Sequence, residues 1–285
     1  MINMKRIVTI QDISCFGKCS LTVALPIISV MGIETAVIPT AVLSTHTGKG
    51  FSGYTFRELT NDIPDISKHW QSMHLAFDAI YTGYLGSVEQ VQIVSDFFDS
   101  FGREDNFIVV DPVLGDGGSL YAGMTQEFVT EMKKLCRKAD YILPNMTEAA
   151  FLLGIPYAPE HDQSSVEDIL RKLAGLGCAT PIITGVHFDS ESQGAAAYDS
   201  ANDKFYYSFS KSVDKTVHGT GDIFASVFTG AVTLGKSLEQ SLDIAVKFTY
   251  DCIEATLPCF EEMWYGTCFE SCLNNLIGYI DDSKK

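Results

Sequence analysis

Basic side chains are scarce in this chain. Its 285 residues carry 20 Lys and Arg against 36 Asp and Glu, a formal net charge of −16. No basic stripe is available to neutralise a run of phosphates, which excludes a long nucleic acid as partner. No apolar run reaches the ~18 residues of a membrane-spanning helix, so no membrane partner is expected. Residues 1–6 lead straight into a strand pattern, without an apolar leader and a small-residue cleavage site. No signal peptide is therefore expected, and the cytoplasm is the default compartment. Pro- or Ser-rich linkers, repeats and low-complexity tracts are also missing, so one domain over residues 1–285 is expected. The eight cysteines lack the short paired spacings of a zinc site. Cys15 and Cys19, like Cys268 and Cys272, would share a helix face if helical, but reduced, buried thiols are the expectation.

What the chain does have is apolar residues, 46% of the total, enough for a large core. Their periodicity predicts strands over 6–11, 34–40 (fraying at Pro39), 79–82, 107–110, 141–143 and 181–184. Helices are expected over 20–31, 62–73, 88–100, 125–137, 166–176, 238–256 and 268–279, with another after Asp222 and a short one opening at Thr147 and Glu148. Residues 12–17, 41–53 and 83–87 read as loops, and 115–118 as a turn. The stretch 194–210 reads as an antiparallel hairpin turning at Asn202 and Asp203. Alternating strands and helices predict a mostly parallel α/β sheet.

The most informative stretch is 216–230, where Gly219, Thr220 and Gly221 precede Asp222 and an apolar helix face of Ile223, Phe224, Val227, Phe228 and Val232. The free N–H groups and dipole of a helix start favour an anion. A carboxylate there would repel a resting phosphate. It makes sense as the base that takes a proton from a group attacking a phosphate. Taken alone, Asp222 reads equally as a helix cap.

Polar residues recur where apolar strands end: Asp12, Thr82 with Gly83, Asp111, Asn145 and Thr184. In open parallel sheets, ligands bind in the crevice beyond those ends. Asp111 and Glu148 suit Mg²⁺, which takes oxygen ligands and keeps several waters. Asn145 and Glu148, one helical turn apart, can face one point. The plainer reading of that pair is an Asn cap beside a solvated Glu.

Six segments, in order along nearly the whole chain, resemble the pyridoxal kinase branch of the ribokinase superfamily. They are Ile10-Gln11, Leu43-Ser44-Thr45-His46-Thr47-Gly48, Thr82-Gly83-Tyr84-Leu85-Gly86-Ser87, Asp111-Pro112-Val113-Leu114-Gly115-Asp116, Pro144-Asn145-Met146-Thr147-Glu148 and Gly219-Thr220-Gly221-Asp222. The resemblance implies a three-layer α/β/α fold with a central, mostly parallel sheet and a small antiparallel edge hairpin. It implies an ATP- and Mg²⁺-dependent kinase acting on the hydroxymethyl group of a B6 vitamer, commonly a homodimer. By the same resemblance Asp222 is the base, and Gly219, Thr220 and Gly221 line the anion hole. Asp111, Asn145 and Glu148 organise metal and triphosphate, with Asp111 and Glu148 as the metal residues. Asp116, Tyr121 and Thr184 fall on the nucleotide side, and Asp12, His46, Thr47, Gly48 and Tyr84 on the ring side.

The chain departs from the pattern at Asp12, where many such kinases carry Ser. A carboxylate there could bind a ring hydroxyl or a protonated ring nitrogen, or cap a loop. Cys15 could trap an aldehyde, as a loop thiol does in some vitamin kinases. Two alternatives are a hydroxymethylpyrimidine kinase, many of which carry Cys where Asp222 stands, and a non-catalytic vitamin-binding regulator on the same scaffold.

Overall fold

The computed structural model describes residues 4–48 and 50–282. Met1, Ile2, Asn3 and Lys49, which the readings of the N-terminus and of the loop over 41–53 include, lie outside the described residues. The chain opens with β1 (Arg6–Ser14), α1 (Leu21–Val30), β2 (Glu34–Leu43) and β3 (Phe56–Glu58). Then follow α2 (Asp62–Ser72), β4 (Ala79–Thr82), α3 (Val88–Phe101), β5 (Phe107–Val110) and the two-residue strands β6 (Gly115–Asp116) and β7 (Ser119–Leu120). Next come α4 (Gln126–Cys136), β8 (Tyr141–Ile142), α5 (Met146–Leu153), α6 (Gln163–Ala174), β9 (Thr180–Val186), β10 (Ser192–Asp199) and β11 (Lys204–Lys211). The chain closes with α7 (Thr220–Thr233), α8 (Leu238–Thr256), two short 3-10 turns (Leu257–Cys259 and Phe269–Cys272) and α9 (Leu273–Asp282).

Nine strands form one sheet in the order β11-β10-β9-β8-β5-β4-β1-β2-β3. The strands from β9 to β2 run parallel, and β10, β11 and β3 add antiparallel edges. Strand alternation sends side chains to two separate cores. Val8, Ile10, Ile80, Ile108, Val110 and Ile183 face a core shared with α2 to α6. Ile7, Ala79, Tyr81, Val109 and Ile182 face a second core shared with α1, α7, α8 and α9. The result is the expected three-layer α/β/α arrangement.

Several boundaries differ from the sequence reading. Strand β1 runs on through Asp12 to Ser14, and β2 passes Pro39 to reach Leu43. Pro39 is tolerated because β3 pairs only with residues 41–43, so its missing N–H lies where β2 has no outer partner. The short β3 and the β6–β7 pair, the latter read as a simple turn, carry too few residues to show a period. Cys15 and Cys19 lie in a loop rather than on a helix face, and 268–279 is a 3-10 turn followed by α9. The hairpin expected within 194–210 is present and continues the sheet through β9.

Candidate active site

Helix α7 begins at Thr220, three residues before the point expected, so Asp222 lies within its first turn. Its cap is Gly219, at φ 85°. A side chain there is excluded twice: the backbone is left-handed, and a Cβ would meet the Lys18 carbonyl oxygen at 2.3 Å. The leading N–H groups of α7 have no intrahelical acceptor and point out of the helix start. Asp222 does not cap them. Its Oδ2 accepts from the backbone N–H of Ser20, 2.9 Å away and 202 residues earlier. That contact removes the cap reading and ties α7 to the loop after β1.

This loop is conformationally unusual. Lys18 and Ser20 both have positive φ, 55° and 54°, a sparsely populated region for residues with a Cβ. The turn delivers the Ser20 N–H to Asp222. Burial, with a smaller contribution from the Asp12 charge, pushes the Asp222 carboxyl up to about 7. The charges of Asp222 and Asp12 in turn push the largely buried Cys19 thiol upward, after burial itself.

The carboxylates of Asp111, Glu148 and Asp222 lie close enough to influence one another. Asp111, at the end of β5, is 9% exposed, and its pKa is raised well above the usual range by burial, then by Glu148 and Asp222. Glu148 is 4% exposed. Its Oε1 accepts from the N–H of Leu114 at 2.8 Å, and its Oε2 from the N–H of Asn145 at 2.9 Å. Asn145 completes a reciprocal cap by accepting from the Glu148 N–H at 2.9 Å, and its Nδ2 donates to the Gly115 carbonyl at 2.9 Å. Asn145 is therefore a cap, as the plainer reading held, but Glu148 is buried rather than solvated. Together they clamp the loop over 111–116 onto the start of α5. Thr147, not among the expected site residues, adds a bond by accepting from the Gly118 N–H on its Oγ1 at 2.9 Å.

The remaining positions expected on the nucleotide side lie at the end of β6, just after β7 and in β9. Asp116 is exposed and accepts from the Gly117 N–H at 2.8 Å. Tyr121 is 45% exposed, its backbone fastened to the Leu114 carbonyl at 3.0 Å. Burial and then the charges of Glu148, Asp116, Asp111 and Asp222 push its phenol upward. Thr184 lies in β9 as a bridge partner of Asn145.

Of the residues expected on the ring side, Asp12 is 4% exposed within β1, where the register with β2 slips between Gln11 and Ile13. Its Oδ2 accepts from the Ser14 hydroxyl at 2.9 Å. It is a strand residue, not a loop cap, and burial raises its pKa. Tyr84 is half-buried, its phenol pushed up to about 12 by burial and then by Asp12. His46 is 6% exposed with both nitrogens engaged. Nδ1 accepts from the Gly48 N–H at 2.9 Å, which leaves Nε2–H to donate to the Tyr265 carbonyl at 2.9 Å. His46 therefore holds its own loop to a distant one. Thr47 is exposed beside it, and Gly48 packs so closely that a Cβ would meet the His46 ring at 2.7 Å.

Sequence reasoning missed Ser20, Lys18, Trp264 and Tyr265. Trp264 packs on Phe51 with ring centroids 4.7 Å apart, and Tyr265 on Phe16 at 4.6 Å. A pair of aromatics beside Gly266 was the available signal, but nothing local points it at residues 16–51.

An amide-rich helix start, a half-buried carboxylate beside it and a clamped strand-end loop, at the carboxyl ends of a parallel sheet, define a small-molecule kinase of the ribokinase type. Comparison with known proteins agrees. The family model for phosphomethylpyrimidine kinase matches residues 31–264. The chain is 28% identical over 272 residues to the pyridoxal kinase of Dictyostelium discoideum, covering 88% of this chain and 86% of that one. A crystal structure of pyridoxal kinase from Lactobacillus plantarum superposes with a TM-score of 0.89 at 32% identity, over 97% of this chain and 98% of that one. A Bacteroides thetaiotaomicron protein, provisionally described as a phosphomethylpyrimidine kinase and crystallised with pyridoxal, gives 0.91 at 40% identity over 96% of both chains. This chain belongs to the phosphomethylpyrimidine kinase family, in its pyridoxal kinase branch.

Proposed function

We propose that this enzyme transfers the γ-phosphoryl group of ATP to the 5'-hydroxymethyl group of pyridoxal, pyridoxamine or pyridoxine. The observation that carries the reading is Asp222, half-buried beside the free amides of α7 and held by Ser20 rather than by its own helix. Phosphoryl transfer needs positioning and charge stabilisation more than covalent chemistry. Asp222 accepts the hydroxyl proton as attack develops. The amides of Gly219, Thr220 and Gly221 face the transferring oxygens. Asp12, Tyr84 and the loop held by His46 orient the ring, and Asp116, Tyr121 and Thr184 border the nucleotide.

The donor set fits Mg²⁺. Asp111 is the more available carboxylate. Glu148, with both oxygens on backbone N–H groups, fits contact through water. Among the described residues no group of three or more His, Cys, Asp or Glu is arranged to hold a metal, so the ion would have to complete its shell with phosphate oxygens and water. When bound, the ion supplies neutralising charge to the triphosphate. No helix among the described residues is long and apolar enough to cross a membrane. A single kinase domain working in the cytoplasm as a homodimer completes the reading.

A second reading, phosphorylation of hydroxymethylpyrimidine, draws on the family model. Asp222 favours the first, because many hydroxymethylpyrimidine kinases have Cys at that position. ADP release measured against pyridoxal, pyridoxamine, pyridoxine and hydroxymethylpyrimidine tests the choice. Turnover of at least one B6 vitamer with the highest kcat/KM is expected. A preference for hydroxymethylpyrimidine would overturn it, and tight vitamer binding without turnover would indicate a regulator.

A further inference from the structure

After α8 the chain makes a loop bracketed by two cysteines. The Sγ atoms of Cys259 and Cys268 are 3.4 Å apart, and both residues are partly exposed. Thr256, at the end of α8, anchors both: its Oγ1 accepts from the Cys268 N–H at 2.8 Å, and its carbonyl from the Cys259 thiol at 3.5 Å. The bracketed loop forms the outer wall of the ring side. It carries the Tyr265 carbonyl that holds His46, and Trp264 packed on Phe51. It also carries the Thr267 carbonyl, which accepts from Lys18 Nζ at 2.8 Å. A Cβ at Gly266 would meet the Lys18 side chain at 2.7 Å, so this wall also presses on the turn that feeds Asp222.

We propose that Cys259 and Cys268 form a reversible disulfide that fixes this wall and thereby sets affinity for the ring substrate. The oxidant is a small-molecule disulfide such as oxidised glutathione. One cysteine attacks as thiolate, forming a protein–glutathione bond and releasing one glutathione thiolate. The second cysteine loses its proton and attacks the protein sulfur of that mixed disulfide, releasing the second glutathione. Two protein thiols are oxidised and one disulfide is reduced to two thiols. The sulfurs must close from 3.4 Å to about 2.05 Å. A second close pair, Cys252 and Cys272, is 0% and 5% exposed and out of reach of such an oxidant. Burial holds the Cys268 thiol up, and the nearby Lys18 ammonium opposes that effect. Intracellular disulfides are more often sensing devices than structural ones.

The kinetic half of the proposal rests on the B6-kinase reading; the cross-link does not. The full chain is equilibrated in glutathione buffers from fully reduced to fully oxidised. Peptide mass mapping should show a Cys259–Cys268 cross-link reversed by dithiothreitol, with a higher Tm for the oxidised form. KM for pyridoxal should fall by about threefold or more on oxidation, since a wall fixed beforehand need not be ordered on binding, with KM for ATP unchanged. Cys259→Ser and Cys268→Ser should each keep the reduced-form activity and lose the response. Failure of the cross-link to form, its formation between other cysteines, or its formation with no change in pyridoxal KM would overturn the proposal. If no vitamer is turned over, the mass map and Tm still report on the disulfide separately.

Discussion

The two ends of the crevice are built in different ways. The end proposed to take the nucleotide is clamped by a compact device: Glu148 and Asn145 cap α5 and, with the same side chains, bond the backbone of Leu114 and Gly115. The end proposed to take the ring is assembled from residues 12–20, 44–48, 50–54 and 264–267, which meet through single long-range bonds such as His46 to Tyr265. The contrast teaches that the Asp111–Glu148 end is held by reciprocal bonds between two short segments, while the Asp12–His46 end depends on loops that hold one another.

The largest effect that would test this contrast is Glu148→Gln. The Gln amide nitrogen would face an N–H that needs an acceptor, loosening the loop over 111–116. A fall of about 10–100-fold in kcat/KM for ATP is expected, the size usual for partners that orient a site, with pyridoxal binding retained. Calorimetric titration of both ligands checks the split. A comparable loss of pyridoxal affinity would show that the two ends are not independent.

His46→Ala should do the reverse. Removing two hydrogen bonds, each worth about 0.5–1.5 kcal/mol net, should raise KM for the vitamer about tenfold and leave KM for ATP unchanged. Equal effects on both constants in initial-rate kinetics would contradict a ring-side role for the His46 loop.

How much of this was legible in the sequence follows the same division. Gly219 to Asp222, and Asn145 with Glu148, could be read because their chemistry lies within one turn of one helix. The strand-end Asp111 could be read because a buried apolar strand ends there. The Ser20 N–H that holds Asp222 could not, since 202 residues separate the two and the donor is backbone. Nor could Tyr265, which acts through a carbonyl that every residue carries. The extension of β2 past Pro39 was hidden because proline reads as a stop unless the strand is known to lack an outer neighbour there.

The smallest effect is on stability. Asp222, at about 7 when folded, keeps a proton that the unfolded chain has already lost above the ordinary carboxylate range. This group's contribution to stability therefore falls as pH rises toward 7 and levels off above it. Asp222→Asn should remove that slope and raise Tm by about 2–4 °C at pH 8, the response to roughly 1 kcal/mol in a chain of this size. Thermal melts from pH 5 to 8 check it. A wild-type profile parallel to that of the variant would place the Asp222 pKa elsewhere. The rate has the opposite dependence, with kcat/KM rising through pH 7 as the base ionises.

The most direct test of the account is phosphoryl transfer from ATP to pyridoxal by Asp222→Ala, with ATP binding measured on the same sample. Loss of about 10²–10⁴-fold in kcat, the range for a positioned base, with ATP affinity within about twofold of wild type is the predicted result. Turnover near the wild-type rate would contradict the role of Asp222 and the kinase mechanism built on it.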